Sequence, residues 1–379
     1  MPLTLEPSPA DGGPRIARRA LRALRPSLAG AIVARMIANA RARADGGAGQ
    51  GAGAAGIVLL GGIVSALLYY KWGGSLRALS AVRASGKLPI SPRIVLDGGA
   101  LATTAAYFGR IWVALVYGVL IGAAVQSAVP AGWMRRWLGG RGPGTTLAGA
   151  LAGAPLMLCS CCATPVFTGL YRRGARLEPA LAALLASPGL NVVAIVLTFA
   201  LFPWPVGVVR VVAALVIVLG LSAWVGRRAD RGHVEAPSSA APAPPESMSW
   251  RDFGARFARN VLRLVAVTLP LIVAGVALSG LVLPHVGKLT GASPALAVAA
   301  IAAVATVAAL PTFFEIPIGL LMLAAGAPLP AVAAFVVAGP VVNLPSLFVL
   351  GREAGPRVAL ALGGGVWLVA TASGLMTMI

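Results

Sequence analysis

The sequence predicts an all-α membrane protein that crosses the bilayer several times. It is expected to contain two homologous, inverted repeats whose broken or re-entrant helices meet near the midplane. Three observations predict this class. Of the 379 residues, 58% are apolar and 11% are charged, whereas soluble domains have about 45–50% apolar and about 25% charged residues. Several apolar runs reach the ~20 residues that a helix needs to cross a hydrocarbon core of ~30 Å. Finally, residues recur in the two halves at one constant offset.

Nine apolar runs define the expected organisation. They lie at 54–70, 106–129, 145–168, 179–201, 204–225, 260–283, 294–325, 329–350 and 357–378. The expected domains are a basic cytoplasmic extension (1–53), an extra transmembrane helix with its connector (54–103), the first repeat (104–225), a Pro/Ala/Arg-rich cytoplasmic linker (226–257) and the second repeat (258–379). The polar, Pro-rich linker does not bury enough surface to fold alone.

The net charge of +20 raises the question of nucleic-acid binding. A nucleic-acid surface gathers its basic residues in one patch or stripe. Here the basic residues lie in the loops between apolar runs, which is typical of the cytoplasmic faces of membrane proteins. We therefore expect a lipid bilayer as partner and no nucleic acid.

Six residues recur after 152 positions. They are Pro165, Gly174, Ala175, Leu177, Pro188 and Asn191 in the first half and Pro317, Gly326, Ala327, Leu329, Pro340 and Asn343 in the second. Two unrelated Ala-rich helices are the alternative explanation, but shared hydrophobicity does not account for recurring Gly, Pro and Asn. Internal repeats are common in transporter folds, and we favour a duplication.

Loop charge distinguishes two topologies. If all nine runs crossed the membrane, 14 basic loop residues would lie on each side. If 145–168 and 294–325 are instead re-entrant or broken, one face carries 22 and the other 6. The positive-inside rule favours the second arrangement, with seven spans and two re-entrant segments. Each repeat then has an odd number of spans, which makes the repeats inverted.

Proline explains why these two segments are interrupted. Pro155 and Pro165 bracket the first segment, and Pro311 and Pro317 bracket part of the second. Proline removes a helix hydrogen bond and clashes with the preceding turn. Backbone groups freed in this way inside a membrane must face protein or a water-filled cavity. Inverted-repeat carriers bind their substrate where such segments meet, so we expect a solute site there.

The first interrupted segment contains all three cysteines of the chain, Cys159, Cys161 and Cys162. Thiols and thiolates are soft ligands for copper(I), zinc and other thiophilic centres. Cys159 and Cys162 would share a helical face, and Cys161 would join them if Pro165 breaks the helix. The alternative role is apolar packing. A structural zinc site is not expected, because no second cysteine pair is present and both histidines lie in loops.

The second segment carries Glu315, which aligns with Ala163 beside the cysteines. It is the only carboxylate inside any apolar run. An ionisable residue within a membrane is by default a functional candidate, and burial would suit it to proton coupling. The alternatives are a protonated Glu that hydrogen-bonds to an unwound backbone, or a residue in water at the end of its segment.

Polar residues follow the helix-breaking prolines in both halves. Asn191 and Asn343 stand three residues after Pro188 and Pro340, where their side chains could satisfy exposed backbone groups or a solute. Holding helices together is the equally weighted alternative. Arg210 lies inside the run 204–225 and could contact an anionic solute, although we favour snorkelling to the interface.

These residues carry a family resemblance. The string C-S-C-C-A-T-P…A-S-P-G-L-N, with P-T-F-F-E-I-P…A-G-P-V-V-N-L-P-S-L, resembles the predicted permease family that includes bacterial organoarsenical efflux permeases. It covers roughly residues 104–379. Cys159, Ser160 and Cys161 match the family's C-S-C-G, and Cys162 stands where Gly is usual. The resemblance implies an inner-membrane permease and, as in characterised relatives, export of trivalent organoarsenicals through sulfur coordination.

The expected function is therefore secondary transport of a thiophilic metalloid compound. The three thiols would bind the solute, Glu315 would couple protons, and Asn191 and Asn343 would line the path. A channel-like facilitator and a membrane thiol- or metal-handling protein are the alternatives, although no Lys or His lies near the cysteines in the sequence. No enzyme activity or cofactor is expected, and the stretch at Gly140–Thr146 lacks the Lys of a phosphate-binding loop.

Overall fold

The computed structural model describes residues 51–85, 100–231, 250–282, 294–311 and 313–378, and every regular element in these ranges is a helix. The predicted basic extension lies outside the described residues except for 51–53. Residues 86–99 of the connector and 232–249 of the linker also lie outside them. The helical class is confirmed for the part of the chain that the structure describes.

Fifteen α-helices follow one another along the described ranges. They are α1 (Gly51–Ser85), α2 (Ala100–Ala128), α3 (Ala131–Leu138), α4 (Pro143–Gly153), α5 (Ser160–Arg172), α6 (Leu177–Gly189), α7 (Val192–Leu201), α8 (Trp204–Leu215), α9 (Ser222–Arg231), α10 (Trp250–Val282), α11 (Pro294–Val307), α12 (Glu315–Ala324), α13 (Leu329–Val341), α14 (Leu344–Ala354) and α15 (Pro356–Met376). A 3₁₀ turn at Ala154–Leu156 precedes α5, and a π-helical stretch at Val216–Leu221 joins α8 to α9.

The long helices agree with the predicted spans. Five are long and apolar enough to cross a membrane: α1, α2, the continuous α8–α9, α10 and α15. Two pairs, α6–α7 and α13–α14, qualify together but are bent by 40° and 46°. Counting each bent pair as one span gives up to seven, at the positions predicted from the sequence. The segments predicted to be re-entrant correspond to the short pairs α4–α5 and α11–α12.

The two bends have the same chemical cause. Pro188 lies near the end of α6, and Pro340 lies near the end of α13. Because proline donates no backbone hydrogen bond, each helix weakens there. Asn191 and Asn343 then start the next helix as its N-cap. At each bend, a proline therefore lies near the end of one helix and an asparagine caps the N-terminus of the next.

Helix boundaries recur at the same interval as the sequence identities. Helices α6 and α13 begin at Leu177 and Leu329 and have equal lengths, and α7 and α14 begin at Val192 and Leu344. In each pair, the helix of the second half begins 152 positions after the helix of the first half. These boundaries agree with the predicted duplication, and the inversion of one half relative to the other stays a prediction.

The turn after each interrupted segment also recurs. Gly174 and Gly326 have φ of 101° and 82°, a conformation that glycine adopts without steric cost. The following residue, Ala175 or Ala327, donates its backbone N–H to a carbonyl five residues earlier, at 3.1 and 2.9 Å. Both helices therefore end in the same left-handed glycine turn.

Each interrupted segment contains a strained residue. Met157 has φ of 46° and Phe313 has φ of 74°, values that non-glycine residues rarely adopt. Such strain persists only where the surrounding structure imposes it, and it is concentrated at functional sites. The two breaks are therefore imposed by tertiary structure.

Several loops meet at one end of the helix bundle. The contacts are Arg176 N to Leu138 O (2.8 Å), Arg172 to Glu353 (2.6 Å) and Arg227 to Glu178 (3.7 Å). They bring together the loops predicted to form the basic face at 130–144, 169–178 and 351–357, and the start of the linker. This proximity is what the re-entrant arrangement requires.

Close helix packing positions the cysteine segment. Helix α2 packs against α1, α5 and α10. A Cβ added at Gly118 or Gly122 would overlap the carbonyl oxygen of Cys162 or Pro165, so the backbones of α2 and α5 are in direct contact. Small residues permit such approaches between membrane helices. By contrast, only 11% of the most apolar stretch of α1 is buried inside the protein. Helix α1 therefore lies at the periphery of the bundle.

Candidate functional site

The three cysteines converge at the break before α5. Cys159 is extended, with φ of −69° and ψ of 160°, and caps the helix that begins at the next residue. Because the chain turns at this point, the side chains of Cys161 and Cys162 lie beside that of Cys159. The Sγ–Sγ distances are 2.7 Å for Cys159–Cys162, 3.2 Å for Cys159–Cys161 and 3.9 Å for Cys161–Cys162.

The break lies close to Pro155, one of the two prolines that bracket the segment, and not beside Cys161. Pro165 does not interrupt the helix beside Cys161, because it lies inside α5. The proline offers no N–H to the carbonyl of Cys161, but the hydroxyl of Thr164 donates to that carbonyl at 2.6 Å. The helix therefore continues through Pro165. The strained backbone at Met157 brings the thiols together instead.

The cysteine cluster is enclosed and has two polar neighbours. Cys159 is 4% exposed, and Cys161 and Cys162 are 0% exposed. The Tyr107 hydroxyl on α2 lies 2.8 Å from the Cys161 sulfur and hydrogen-bonds with it. Lys71 on α1 is close enough to interact electrostatically with Cys159.

Glu315 forms a buried ion pair at the start of α12. A guanidinium nitrogen of Arg210 lies 2.9 Å from its carboxylate oxygen, and both side chains are 2% exposed. A second nitrogen of Arg210 donates to the Thr198 hydroxyl at 3.0 Å. The snorkelling predicted for Arg210 is therefore wrong, because a carboxylate from the other half of the chain holds the guanidinium inside.

The two asparagines act first as helix caps. The Asn191 carbonyl oxygen accepts from the N–H groups of Val193 and Ala194. The Asn343 oxygen accepts from Ser346 N at 3.0 Å in a reciprocal capping box. Both residues are buried, and the amide nitrogen of each lacks a partner among the described residues. Each asparagine thus keeps one buried donor that capping does not use.

The first bend connects the cysteine segment to the second half. Leu158 N donates to the Ser187 hydroxyl of α6 at 2.9 Å, so the residue before the cysteines is tied to the Ser-Pro-Gly bend. A Cβ added at Gly189 would lie 3.6 Å from Val341 at the end of α13. The two proline-containing bends therefore approach each other.

The second bend approaches Glu315 of the ion pair, and helix α2 contacts the residue before Glu315. A Cβ added at Gly339 would lie 3.8 Å from Glu315 Cβ. On α2, the guanidinium of Arg110 lies 4.7 Å from the ring centre of Phe314, next to Glu315. Tyr107, one turn earlier, contacts the cysteine cluster. The thiols and the ion pair are separate centres linked through shared elements.

Sequence reasoning missed most of the partners of these residues. Arg210 was detectable, since an arginine inside an apolar run is itself a functional signal, but its partner lies 105 residues away. Tyr107 stands at the start of a predicted span, where an aromatic residue is typical of the interface. Nothing local distinguishes it as a cysteine neighbour.

Paired interrupted segments, two bent spans and buried ionisable groups are features that polytopic membrane transporters share. A model of a family described as predicted permease matches residues 96–379, and the chain belongs to this family. The match leaves α1 outside it. The family relationship indicates a transporter of the multi-pass membrane type, working on a small solute.

Two relatives of the same kind are similar to the chain. The protein YraQ of Escherichia coli strain K12 is 33% identical over 265 residues, which are 68% of this chain and 74% of the relative. The protein MJ0584 of Methanocaldococcus jannaschii is 35% identical over 114 residues, 29% of this chain and 31% of the relative. Both bear the family designation UPF0718. No solved structure matches the chain.

Proposed function

We propose that the chain is a secondary permease of the cell (inner) membrane that exports a thiophilic metalloid compound, such as a trivalent organoarsenical. One observation carries the proposal: three buried thiols converge in one interrupted segment, and the other segment contributes a buried ion pair. Two centres of this kind, joined by the paired bends, provide separate sites for a soft solute and for a coupling ion. The basic end of the bundle would face the cytoplasm.

In this proposal, Cys159, Cys161 and Cys162 bind the solute through sulfur. Soft centres prefer such ligands over water or carboxylate. The cluster lies next to the Ser187 bend, so a change in its geometry on binding would act directly on α6. Asn191 and Asn343 would line the path, because each keeps an unused amide donor close to a bend.

Glu315 would couple transport to protons through Arg210. While Glu315 is ionised, its attraction to Arg210 joins α12 of the second half to α8 of the first. In surroundings of low dielectric constant this attraction is strong. Protonation removes the negative charge, so the link between the halves weakens. A proton could thereby change the relative position of the two interrupted segments.

The transport unit would be the two repeats at 104–225 and 258–379. Helix α1 lies at the periphery and outside the family match, as an accessory element would. Lys71 on α1 nevertheless interacts electrostatically with Cys159. This interaction favours a second candidate, a membrane thiol-handling protein, because a nearby cation stabilises a reactive thiolate.

Transport in membrane vesicles tests the proposal. We expect vesicles containing the protein to accumulate phenylarsine oxide, a trivalent organoarsenical, when a proton gradient is imposed. The variant Cys159→Ser/Cys161→Ser/Cys162→Ser should reduce uptake to the level of empty vesicles, because serine oxygen is a hard ligand. Ser160→Ala is the matched control within the same turn and should retain uptake.

Each other outcome has a defined meaning. Equal uptake by the triple variant and the unmodified protein would contradict thiol binding. Thiol-dependent uptake that ignores the proton gradient would indicate a channel-like facilitator. Rapid modification of the cysteines by thiol reagents without any flux would favour the thiol-handling protein.

A further inference from the structure

The third thiol distinguishes this cysteine cluster from a two-thiol site. The sulfur of Cys162 lies 2.7 Å from that of Cys159 and 3.9 Å from that of Cys161. It therefore belongs to the cluster as fully as the other two. The ligand atoms of all three cysteines lie within 4.8 Å of one another, and each is enclosed by the protein.

The sulfur spacing suits one shared central atom. A central atom that binds sulfur at about 2.3 Å, as zinc does, separates its sulfur ligands by about 3.4–3.8 Å. Two of the observed separations, 2.7 and 3.2 Å, are shorter than this range, and the third, 3.9 Å, is slightly longer. The Cys159 sulfur, which takes part in both short separations, would therefore have to move away from the other two on binding. All three sulfurs are nevertheless close enough to one another to share one central atom.

The net charge of the bound cluster determines which central atom the three thiols can hold in an enclosed site. A copper(I) ion held by three thiolates would leave a net charge of −2 in an enclosed site. Burying an uncompensated charge is strongly unfavourable. A neutral trivalent hydroxide avoids this penalty, because three thiols and M(OH)₃ give M(SR)₃ and three molecules of water. Three S–H and three M–O bonds break, three M–S and three O–H bonds form, and no atom changes oxidation state.

We infer that Cys159, Cys161 and Cys162 form a three-coordinate site for a neutral trivalent metalloid hydroxide, namely inorganic arsenite or antimonite. Only a centre with three exchangeable hydroxyls uses every thiol. An organoarsenical with one carbon substituent offers two exchangeable positions and leaves one sulfur unbound. The inference rests on the proposed role of the cluster as a solute site, and it adds inorganic trivalent metalloids to the solutes that the site would bind.

Binding to the purified full-length protein in detergent tests the inference. With arsenite, X-ray absorption at the arsenic edge should show three sulfur neighbours in the unmodified protein. Cys162→Ser should show two sulfurs and one oxygen. Its dissociation constant for arsenite should rise at least about tenfold more than its dissociation constant for phenylarsine oxide. Ser160→Ala should show three sulfurs and unchanged dissociation constants.

Two or fewer sulfur neighbours in the unmodified protein would overturn the inference. Equal arsenite affinity of the Cys162→Ser variant and the unmodified protein would also overturn it. Size-exclusion profiles of each variant establish that it remains folded, and Cys162→Ala provides a second, smaller replacement. Phenylarsine oxide flux without three-sulfur arsenite binding would refute this inference alone. Three-sulfur binding without flux of any thiophilic solute would refute the proposed permease function and leave the site intact.

Discussion

At the scale of single residues, the most consequential finding is that Glu315 is paired. An isolated ionisable residue inside a membrane is costly. Glu315 is not isolated, since Arg210 lies 2.9 Å away and is equally buried. Another guanidinium nitrogen of Arg210 donates to the Thr198 hydroxyl. The Glu315 side chain is therefore held by a residue from the other half of the chain.

The ion pair predicts an asymmetric response to substitution. Arg210→Met should lower the free energy of unfolding by about 3–5 kcal/mol, because it leaves Glu315 buried without a counter-charge. Arg210→Met/Glu315→Gln should recover much of this loss but abolish the dependence of uptake on a proton gradient. Thermal unfolding in detergent and vesicle flux measure the two effects.

Arg110→Met is the matched control for Arg210→Met, because it also replaces an arginine with methionine close to the start of α12, beside Phe314. Arg110 is exposed and contacts an aromatic ring, so we expect a change of only about 0.5–1 kcal/mol. A stability loss in Arg210→Met no larger than that of the control would show that the pair does not hold the charge of Glu315 in place.

At the scale of secondary-structure elements, the contact between α2 and α5 sets the position of the thiols. Gly118 lies directly on the backbone of Cys162. The interface has no room for even one methyl group. Any widening of this interface moves the segment that carries all three cysteines.

Gly118→Ala should therefore destabilise the protein by about 1–3 kcal/mol through overpacking and weaken metalloid binding. Gly109→Ala is the matched control on the same helix, because a Cβ there meets nothing within 4 Å. It should be neutral or slightly stabilising, since alanine is the better helix former. Unfolding temperatures and arsenite titrations compare the two, and equal effects would argue against the α2–α5 contact as the determinant.

The position of a helix break could be predicted from the sequence where neighbouring residues cause it, and could not be predicted where tertiary contacts cause it. The bends at Pro188 and Pro340 could be located because proline and asparagine act on their own neighbours. The left-handed conformation of Met157 has no local signal, since methionine does not favour that region. The sequence therefore predicted that the segment between Pro155 and Pro165 is interrupted, but the break that it suggested beside Cys161 is wrong, because Cys161 and Pro165 lie inside α5.

At the scale of the whole molecule, a second ion pair joins the halves at the basic end. Two guanidinium nitrogens of Arg172 donate to the two carboxylate oxygens of Glu353, at 2.6 and 2.7 Å. The Glu353 side chain is 2% exposed. The pair links α5, which carries the cysteines, to α14 of the second half. In an alternating-access cycle this link must separate for the basic end to open.

Glu353→Gln should therefore favour the open state at that end. Charge-assisted hydrogen bonds contribute about 1.5–3 kcal/mol, so we expect the cysteines to react at least about tenfold faster with a membrane-impermeant maleimide. The reagent is applied to the cytoplasmic side of inside-out vesicles. Arg352→Gln removes an exposed charge at the neighbouring position and should leave the rate unchanged. Equal rates in Glu353→Gln and the unmodified protein would contradict this gating role.

The recurrence of helix boundaries after 152 residues has a consequence for how the chain divides its chemistry. At equivalent positions, one half carries Ala163 among the sulfurs and the other carries Glu315. The halves keep the same turns and bends, yet only the first has ligands for a soft centre and only the second has the buried acid in its interrupted segment. If each half performs its proposed role, the chain corresponds to two differently specialised subunits fused into one, and we expect that neither half can replace the other.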